Sequence, residues 1–350
     1  MKTRQRAAQG SLLLALLLML NIVSIIPAAG QENTQCDAGF RLFDHEYLAT
    51  EPVCIPENPQ KVVVAWAFNA TALLRADVPI IGTNSIAFNQ GQFPEWADDL
   101  GQITDVGRPL NLEVILGLSP DLIITSDFDA EGNEDALSSI APTVLFTWEG
   151  THIWRDVAQL MFDAAGRLKE YDALMIEQET RAAELGALID DPQAIELSIV
   201  NVRADRILLY TQYSPGGMIV EEVGFSRPEV QLWPDAESPA YLRDISFEEL
   251  QQADGDYILI FGGFALDEDA QVTLDELLES PLWQSLGAVQ ADRVYISNVN
   301  FAGGDIGNAH AMLDELAAAF GVADDFSPNP YITRAEIPAR APEATEEAAG

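Results

Sequence analysis

A helix-to-strand pattern runs through Asn111-Leu-Glu-Val-Ile-Leu-Gly-Leu-Ser-Pro-Asp-Leu-Ile-Ile-Thr125. The pattern returns without a gap in Ser246-Phe-Glu-Glu-Leu-Gln-Gln-Ala-Asp-Gly-Asp-Tyr-Ile-Leu-Ile260. Each copy opens with a residue that can cap a helix N-terminus, and the acid that follows suits the positive end of the helix dipole. A turn residue, an Asp and an apolar run then predict a buried strand. Such units are common in α/β proteins, so a true repeat requires that the neighbouring elements recur as well.

The elements around the two copies do recur. In the first half the sequence predicts strands at 61–66, 78–82 and 143–148 and helices at 69–77 and 134–140. In the second half it predicts strands at 195–202, 206–210 and 293–297 and helices at 218–223, 274–278 and 305–320. Strands that alternate with helices imply a mainly parallel sheet covered on both faces. The predicted fold class is therefore α/β, with two lobes that each contain a mainly parallel central sheet flanked by helices.

Residues 153–189 connect the two halves with an almost continuous helical pattern, broken near Gly166-Arg167. The part after the break is rich in good helix formers, contains no proline and places apolar residues near one face. We therefore expect one long rigid helix between the lobes. The predicted domains are an N-terminal α/β lobe at 60–167, the interlobe helix at 168–190 and a C-terminal α/β lobe at 191–325.

The N-terminus has the pattern of a signal peptide at residues 1–30. Three basic residues precede an apolar core at 11–26, and Ala28-Ala29-Gly30 forms a small-residue cleavage site. An uncleaved membrane anchor is the alternative, but the apolar run is slightly short for a span and Pro27 follows it at once. No cysteine stands at the cleavage point, so lipid attachment there has no support. The pattern predicts an exported protein, periplasmic or associated with the cell surface.

Cys36 and Cys54 lie just after this leader, in an N-terminal extension at 31–59. In an exported chain a disulfide between them is the default expectation, and it would contribute about 3 kcal/mol in the chain-entropy model. Two cysteines alone make no convincing metal site. At the other end Pro, Ala, Thr and Glu dominate from Pro328 onward, so we expect a disordered tail at 326–350.

The chain is strongly acidic, with 56 acidic residues against 18 basic ones and a formal net charge of −38. Nucleic acid is excluded as a partner, because its phosphates require a basic surface. The acidity is more simply explained by solubility than by a specific cationic partner. Because basic residues are so few, individual arginines become informative.

The sequence holds no recognisable catalytic constellation. Its three histidines, His45, His152 and His310, lie in unrelated contexts, which argues against a His-based metal site and a His-dependent hydrolase. No glycine-rich phosphate loop follows the first strand, so nucleotide use has no support. We therefore predict a binding protein and not an enzyme, with no cofactor and no metal ligands of its own.

Aromatic residues and arginines gather where strand C-termini should lie, which is where open α/β sheets hold ligands. Each of them alone is more simply a core or surface residue. As a group they would suit a ligand with apolar parts and anionic oxygens, because Arg presents a planar fork of donors. The candidate ligand contacts are Trp66, Phe68, Trp96, Arg108, Arg203, Tyr210, Tyr213, Tyr241 and Phe301.

A series of short motifs runs from the first predicted strand almost to the last helix. They are the strand at 61–66, Asp105-Val-Gly-Arg-Pro-Leu-Asn-Leu-Glu113, Ser119-Pro-Asp-Leu-Ile-Ile124, Ile140-Ala-Pro-Thr-Val144, Val223-Gly-Phe-Ser-Arg-Pro228, Ser280-Pro-Leu-Trp283 and Ala288-Val-Gln-Ala-Asp-Arg-Val-Tyr295. In this order they resemble the ABC-importer solute-binding proteins of the iron-siderophore type. The resemblance covers residues 60–320 and leaves the N-terminal extension and the tail outside.

The resemblance implies two α/β lobes joined by one long helix, a ligand in the cleft between them and limited hinge closure. In that family one acid on each lobe docks into arginines of the membrane permease, and Glu113 and Glu248 occupy these places. Both acids also suit the first turn of a helix, which is the simpler explanation and is compatible with docking. The implied partners are an ABC permease and a ferric siderophore, and the protein is expected to be a monomer.

The resemblance also bears on the ligand. Arg108 lies close to the place of a ligand arginine in ferric-hydroxamate binders, and Arg203 occupies that of a second-lobe arginine in siderophore binders. Catecholate binders use several basic residues, and this chain offers few, so a hydroxamate or mixed-type ferric siderophore is favoured, with iron present only inside the ligand. Cobalamin and heme binding stay open on the same scaffold. A direct Zn/Mn-ion receptor is disfavoured by the scarcity of His, and a cell-surface enzyme by the lack of a catalytic constellation.

Overall fold

A computed structural model of the chain describes residues 36–88, 103–233, 242–262, 268–297 and 299–331, with only the backbone at Thr151 and Glu268. The predictions for the leader at 1–30, for Trp96, for Tyr241 and for the tail from 332 onward lie outside these ranges. In the ranges given, no helix is long and apolar enough to cross a bilayer.

The described chain alternates strands and helices as the sequence predicts. The strands are β1 Phe40–Phe43, β2 Val53–Pro56, β3 Val62–Val64, β4 Ile80–Thr83, β5 Thr104–Asp105, β6 Leu122–Ser126, β7 Thr143–Phe146, β8 Leu197–Arg203, β9 Arg206–Tyr210, β10 Leu242–Ile245, β11 Tyr257–Phe261 and β12 Val294–Ser297. The α-helices are α1 Ala70–Arg75, α2 Leu112–Leu118, α3 Asp127–Ala130, α4 Glu134–Ile140, α5 Trp154–Ala164, α6 Leu168–Leu188, α7 Pro215–Val223, α8 Glu268–Glu279, α9 Gly287–Gln290 and α10 Ile306–Ala319. Short 3-10 helices lie at Ser85–Phe88, Thr151–Ile153, Pro192–Ala194, Glu229–Gln231, Phe247–Ala253 and Trp283–Ser285.

Two five-stranded sheets form the centres of the two lobes, which confirms the predicted α/β fold class. The first sheet has the order β5-β4-β3-β6-β7 and is parallel throughout. The second has the order β10-β9-β8-β11-β12, in which β8, β11 and β12 pair in parallel and β9 pairs antiparallel with both β8 and β10. The second sheet is therefore mixed, because the two-residue turn Ala204-Asp205 between β8 and β9 can join only antiparallel strands. The edge strands β5 and β10 were not predicted. The residue boundaries proposed for the lobes stay predictions.

The two copies of the repeat begin differently in structure. In the first copy the Asn111 side chain caps α2 by accepting hydrogen bonds from the backbone N–H groups of Glu113 and Val114. In the second copy Ser246 and Glu249 form a capping box at the start of a 3-10 helix, where the sequence predicts a short helix without specifying its type.

Asp121 and Asp256, the aspartates that both copies share, tie each repeat to the neighbouring strand. The carboxylate of Asp121 accepts hydrogen bonds from the backbone N–H groups of Gln60 (2.7 Å) and Lys61 (2.9 Å), just before β3. The carboxylate of Asp256 accepts one from the N–H of Glu196 at 2.9 Å, just before β8. In each lobe, the Asp that precedes one parallel strand thus accepts hydrogen bonds from backbone N–H groups just before the neighbouring strand, β3 or β8.

Successive strand residues pack into different apolar layers, since both faces of each sheet are covered. In β3, Val62 and Val64 face a large cluster, whereas Val63 faces a smaller one with α2 and α4. In β8, Ile199 faces the large cluster and Val200 a separate one with α8. The large cluster contains side chains from both sheets and from α5, α6, α7 and α10, so the two lobes share one core.

Helix α6 is the predicted interlobe helix, and it buries one face, as its helical pattern predicts. Its buried residues are Tyr171, Leu174, Met175, Gln178, Arg181, Ala182 and Leu185. Gly186 lets α6 approach α7 closely, because a side chain there would collide with the backbone of Val223. Gly166, with a φ of +71°, lies between α5 and α6, at the break that the sequence predicts.

A polar bridge joins the two lobes through α6. Arg155 on α5 forms an ion pair with Glu222 on α7. Between them, the Gln178 side chain of α6 accepts a hydrogen bond from Arg155 Nη2 at 3.1 Å and donates one to Glu222 Oε2 at 3.0 Å. Gln178 is fully buried, so its amide depends on these partners for hydrogen bonds.

Arg181, the second buried polar residue of α6, holds α10 and the C-terminal segment. Its guanidinium donates to the carboxylate of Asp314 on α10 at 2.6 Å and to the carbonyl oxygen of Ser327 at 2.9 Å. It also lies over the Phe326 ring, with Cζ 4.5 Å from the ring centroid. The packed part of the chain therefore runs past the predicted start of the tail at 326, as far as Tyr331.

The N-terminal extension continues the first sheet. The predicted disulfide between Cys36 and Cys54 is confirmed, and it links the β1–β2 hairpin. The chain between these strands runs antiparallel to β7, where Ala49 N donates to the carbonyl of Leu145 and Thr147 N to that of Tyr47, each at 2.8 Å. The extension therefore covers an edge of the sheet that would otherwise expose unpaired backbone groups.

A buried clasp joins α1 of the first lobe to α10 of the second. The N–H of Asn69, which has a left-handed φ of 64°, donates to the Asp305 carboxylate, and the Asn69 side-chain oxygen accepts from Ile306 N at 3.1 Å. Asp305 also caps α10 by accepting from Asn308 N at 3.1 Å. Burial raises the pKa of Asp305 to about 6, although the backbone N–H donors around it act in the opposite direction.

The clasp predicts a pH dependence of stability. Because the pKa of Asp305 is higher in the folded chain than in the unfolded one, the folded state gains from its protonation, and this gain is lost as the pH rises through about 6. The free energy of unfolding of the wild type, minus that of Asp305→Asn, should therefore fall by about 2 to 3 kcal/mol between pH 4 and pH 7. Urea unfolding at several pH values measures it. The hydrogen bond lost in the variant adds a constant offset, so a difference that does not change with pH would contradict the prediction.

Candidate functional site

The carboxyl edge of the first sheet gathers side chains from every strand. Each strand of this parallel sheet is followed by one of them, and such an edge is where open α/β sheets hold ligands. The residues, taken in strand order from β3 to β7, are Trp66, Asn84, Arg108, Asp129 and Trp148.

Trp66 is the centre of an aromatic group at this edge. Its ring lies 4.8 Å from that of Trp148, 5.3 Å from that of Phe68 and 5.6 Å from that of Phe146, measured between centroids. Trp66 and Phe146 are buried, whereas Phe68 and Trp148 are half-buried. The apolar surface that this group offers is therefore supplied by Phe68 and Trp148, with Trp66 behind them.

Arg108 and Asp129 form the charged part of this edge. Arg108 Nε lies 2.8 Å from Asp129 Oδ1, and the side chain of Asn84 donates to Asp129 Oδ2 at 3.0 Å. The Asp129 side chain is 2% exposed and that of Arg108 38%. Burial raises the pKa of Asp129, although the hydrogen bonds from Arg108 and Asn84 oppose that shift.

Phe128 completes the edge. It is 57% exposed, and Arg108 Cζ lies 5.3 Å from the centroid of its ring. The short helix α3 follows β6 and is capped by Ser126. Phe128, Asp129 and Trp148 were missed as site residues, although Trp148 ends a predicted strand, as Trp66 does, and Phe128 and Asp129 follow another within four residues.

Arg203 marks the carboxyl end of β8 in the second sheet. It is exposed, and its Nε donates to Asn201 Oδ1 at 2.9 Å. The Asn201 amide in turn donates to the carbonyl oxygen of Phe261, at the end of β11, at 3.0 Å. Arg203 is therefore oriented by a neutral amide, unlike Arg108, which is oriented by a carboxylate.

Tyr210 and Phe301, two other predicted contacts, lie in the core of the second lobe. The Tyr210 ring meets Phe261 edge-on at 5.0 Å, and Phe301 lies 5.7 Å from Phe261 on the other side. Both are almost completely buried, because the aromatic rings fill the space between the sheet and α7. Tyr213 is half-buried at the start of α7. Sequence spacing alone does not separate aromatic side chains that fill the core from those that border open space.

The carboxyl edges of the two sheets come together at the loop after β12. A side chain at Gly303 would lie 3.4 Å from the Phe68 ring, and one at Gly304 would collide with Trp154. These two glycines let the loop after β12 of the second lobe approach the aromatic residues of the first lobe.

The described residues form no metal centre. Among them, no group of three or more His, Cys, Asp or Glu side chains could hold a metal ion. His310 is buried with Nδ1 2.9 Å from Arg181 Nη1, and burial together with the charges of Arg181 and Arg75 lowers its pKa to about 3. It is therefore a neutral packing residue.

Residues 76–298, more than half of the chain, match the family model of the periplasmic binding proteins. The chain belongs to this family. Related members include the probable siderophore-binding lipoprotein YfiY of Bacillus subtilis, 26% identical over 273 residues, or 76% of this chain and 84% of that protein. The iron(3+)-hydroxamate-binding protein YxeB of the same organism is 26% identical over 251 residues, or 70% of this chain and 75% of that protein.

Solved structures of the family have the same fold. Staphylococcus aureus SirA, crystallised with staphyloferrin B, superposes with a TM-score of 0.69 and 25% sequence identity over 80% of this chain and 98% of SirA. These relatives and structural neighbours are solute-binding proteins and not enzymes, which agrees with the lack of a recognisable catalytic constellation in the sequence.

Glu113 and Glu248, the acids predicted to dock on a permease, lie at equivalent places in the two lobes of this binding protein. Both are exposed in the first turn of their helices. Within the described ranges neither carboxylate forms an ion pair, whereas the adjacent Glu249 is bound to the N–H and hydroxyl of Ser246 at 3.0 Å each. The fold therefore uses Glu249 as a cap and leaves Glu248 exposed.

Proposed function

We propose that this protein is the exported solute-binding component of an ABC importer, which captures a ferric siderophore between its lobes and delivers it to the membrane permease. The observation that carries the proposal is the oriented guanidinium of Arg108 beside exposed aromatic surface, at the ligand-binding edge of a family member. Relatives named for siderophores support the ligand class. The protein would act as a monomer, and iron would enter the site only as part of the ligand.

The two edges suit an oxygen-rich complex with apolar parts. Arg108 and Arg203 would donate to ligand oxygens from opposite lobes, since a guanidinium presents a planar fork of donors. Phe68, Phe128 and Trp148 would contact its apolar groups. Trp66, Tyr210 and Phe301 are buried and would pack behind the residues that contact the ligand. Trp96 and Tyr241 remain candidate contacts outside the described ranges.

Within that class we favour a hydroxamate or mixed-type siderophore. The described part of the site has one arginine already paired with a carboxylate and one paired with an amide, which gives little net positive charge for a strongly anionic complex. The hydroxamate-binding relative supports the same choice. Cobalamin and heme are the alternative ligands on this scaffold.

Titration of the protein with a ferric trihydroxamate, heme and cobalamin tests the proposal by tryptophan quenching. We expect saturable quenching with the ferric trihydroxamate, because Trp66 and Trp148 lie beside the site. Arg203→Ala should weaken binding about tenfold through loss of a charged donor. Arg206→Ala is the matched control, since it removes an exposed arginine of the same hairpin that pairs with Asp205. Tight binding of heme or cobalamin without binding of any ferric siderophore would contradict the proposed ligand class.

Charge reversal of the two exposed acids tests the delivery step. In the variant Glu113→Arg with Glu248→Arg, ligand affinity should stay within about twofold, because neither residue is among the proposed ligand contacts, whereas uptake through the permease should fall at least about tenfold by repulsion between like charges. Glu276→Arg, an exposed acid of α8 outside both copies of the repeat, is the matched control. Equal uptake in the double variant and the control, or a loss of ligand affinity, would refute the assignment.

A further inference from the structure

Asp129 places a carboxylate inside the half of the site that would receive an oxygen-rich ligand. Its side chain is almost completely buried, and each of its oxygens faces a fixed donor: Oδ1 the Arg108 Nε at 2.8 Å, Oδ2 the Asn84 amide at 3.0 Å. A negative charge there would repel ligand oxygens if it were free. A carboxylate at this position therefore needs a function that compensates for the repulsion.

Asn84 fixes the carboxylate from behind. Asn84 is fully buried, its side-chain oxygen accepts from Ile86 N at 3.3 Å, and its amide nitrogen lies 3.4 Å from the Ala65 carbonyl oxygen. The amide orientation is therefore set by backbone groups after β3 and β4. Ser126 adds a second constraint, since its hydroxyl accepts from Asp129 N at 3.0 Å. Asp129 is held on both its backbone and its side chain.

This arrangement determines which part of Arg108 faces the ligand. Only Nε is engaged by Asp129, and within the described ranges neither Nη1 nor Nη2 has a hydrogen-bond partner. The exposed Phe128 ring lies beneath the guanidinium and restricts its movement out of that plane. The two terminal nitrogens therefore form a fixed fork of donors.

The same ion pair also cancels charge. Arg108 and Asp129 together carry no net charge, and the other acid that acts on Asp129 is Glu131, whose charge raises the pKa of Asp129 further. Hence the first-lobe half of the site offers directed hydrogen bonds but little attraction for a multiply charged anion. Arg203 adds a positive charge from the second lobe, where it is hydrogen-bonded to a neutral amide. Together with the hydrogen bond from the other arginine of the same hairpin, its charge also lowers the pKa of the exposed Asp205.

We propose that Asp129 is a positioning and specificity-determining residue of the ligand site, which aims the Arg108 fork at the ligand and neutralises its charge, so that the site selects ferric complexes of low net charge over multiply anionic ones. This inference rests on the proposed function and names the property of the ligand that the site recognises. It assigns to a buried acid a role that acts only through Arg108.

A double-mutant cycle with two ligands tests this role. The variants are Asp129→Asn, Arg108→Ala and the double variant, and the ligands are the ferric trihydroxamate ferrioxamine B and a trianionic ferric tris-catecholate. Asp129→Asn should weaken ferrioxamine B binding about tenfold, because the fork is no longer held. The ratio of the tris-catecholate affinity to the ferrioxamine B affinity should rise at least about tenfold. In the Arg108→Ala background, the same substitution should change the ferrioxamine B affinity by less than about twofold, because no fork remains to be held. There it should raise the tris-catecholate affinity, because it removes a carboxylate whose charge Arg108 no longer neutralises.

Several outcomes would overturn the proposal. If Asp129 is only structural, Asp129→Asn will weaken the binding of both ligands equally and its effect will add to that of Arg108→Ala.

Should Asp129→Asn fail to fold, Asn84→Ala takes its place in the cycle, because it removes the second hydrogen bond of Asp129 and keeps the ion pair. Asn84→Ala should weaken ferrioxamine B binding about threefold, and only when Arg108 is present. If the wild type binds ferrioxamine B but the cycle is additive, this inference alone fails. If the wild type binds neither ligand, the proposed function fails with it.

Discussion

Both lobes depend on the polar side chains that helix α6 buries. Gln178 joins Arg155 of the first lobe to Glu222 of the second, and Arg181 joins α10 to the C-terminal segment. Breaking such a contact would leave a buried charge or amide without a partner, which costs far more than an exposed ion pair contributes. The interlobe helix therefore fixes the relative position of the lobes through partners on both sides, and the Asn69–Asp305 clasp adds a second fixed point.

The fixed relative position of the lobes limits how the site can select a ligand. If the lobes cannot move far towards each other, the donors at the carboxyl edges must already be arranged to match the ligand. Arg108 is consistent with this requirement, because a buried carboxylate and the ring of Phe128, both parts of the protein itself, set its direction. Arg203 is directed by Asn201 in the same way. The arrangement is one of preorganised donors, which reduces the ordering that a ligand must impose on the site.

The sequence allowed much of this fold to be predicted, because the strongest signals are local. The repeat, the break at Gly166 and the apolar periods required no knowledge of tertiary contacts. The features that were missed depend on distant partners: β10 is a strand only because β9 offers it an edge, and Tyr210 is buried because Phe261 packs against it. Asp129 is the clearest case, since Asn84 and Arg108, the residues that hold it, lie far from it in the chain. A buried acid cannot be distinguished from a solvated one by spacing alone.

The central claim is that a ferric complex binds between the two carboxyl edges of the sheets. A crystal structure of the protein with ferrioxamine B bound, with the iron located by its anomalous scattering, tests that claim most directly. We expect an iron peak between the lobes, with ligand oxygens within hydrogen-bond distance of the Nη atoms of Arg108 and of the Arg203 guanidinium. An iron peak on an outer face of either lobe, or one between the lobes with both arginines turned away from the ligand, would contradict it.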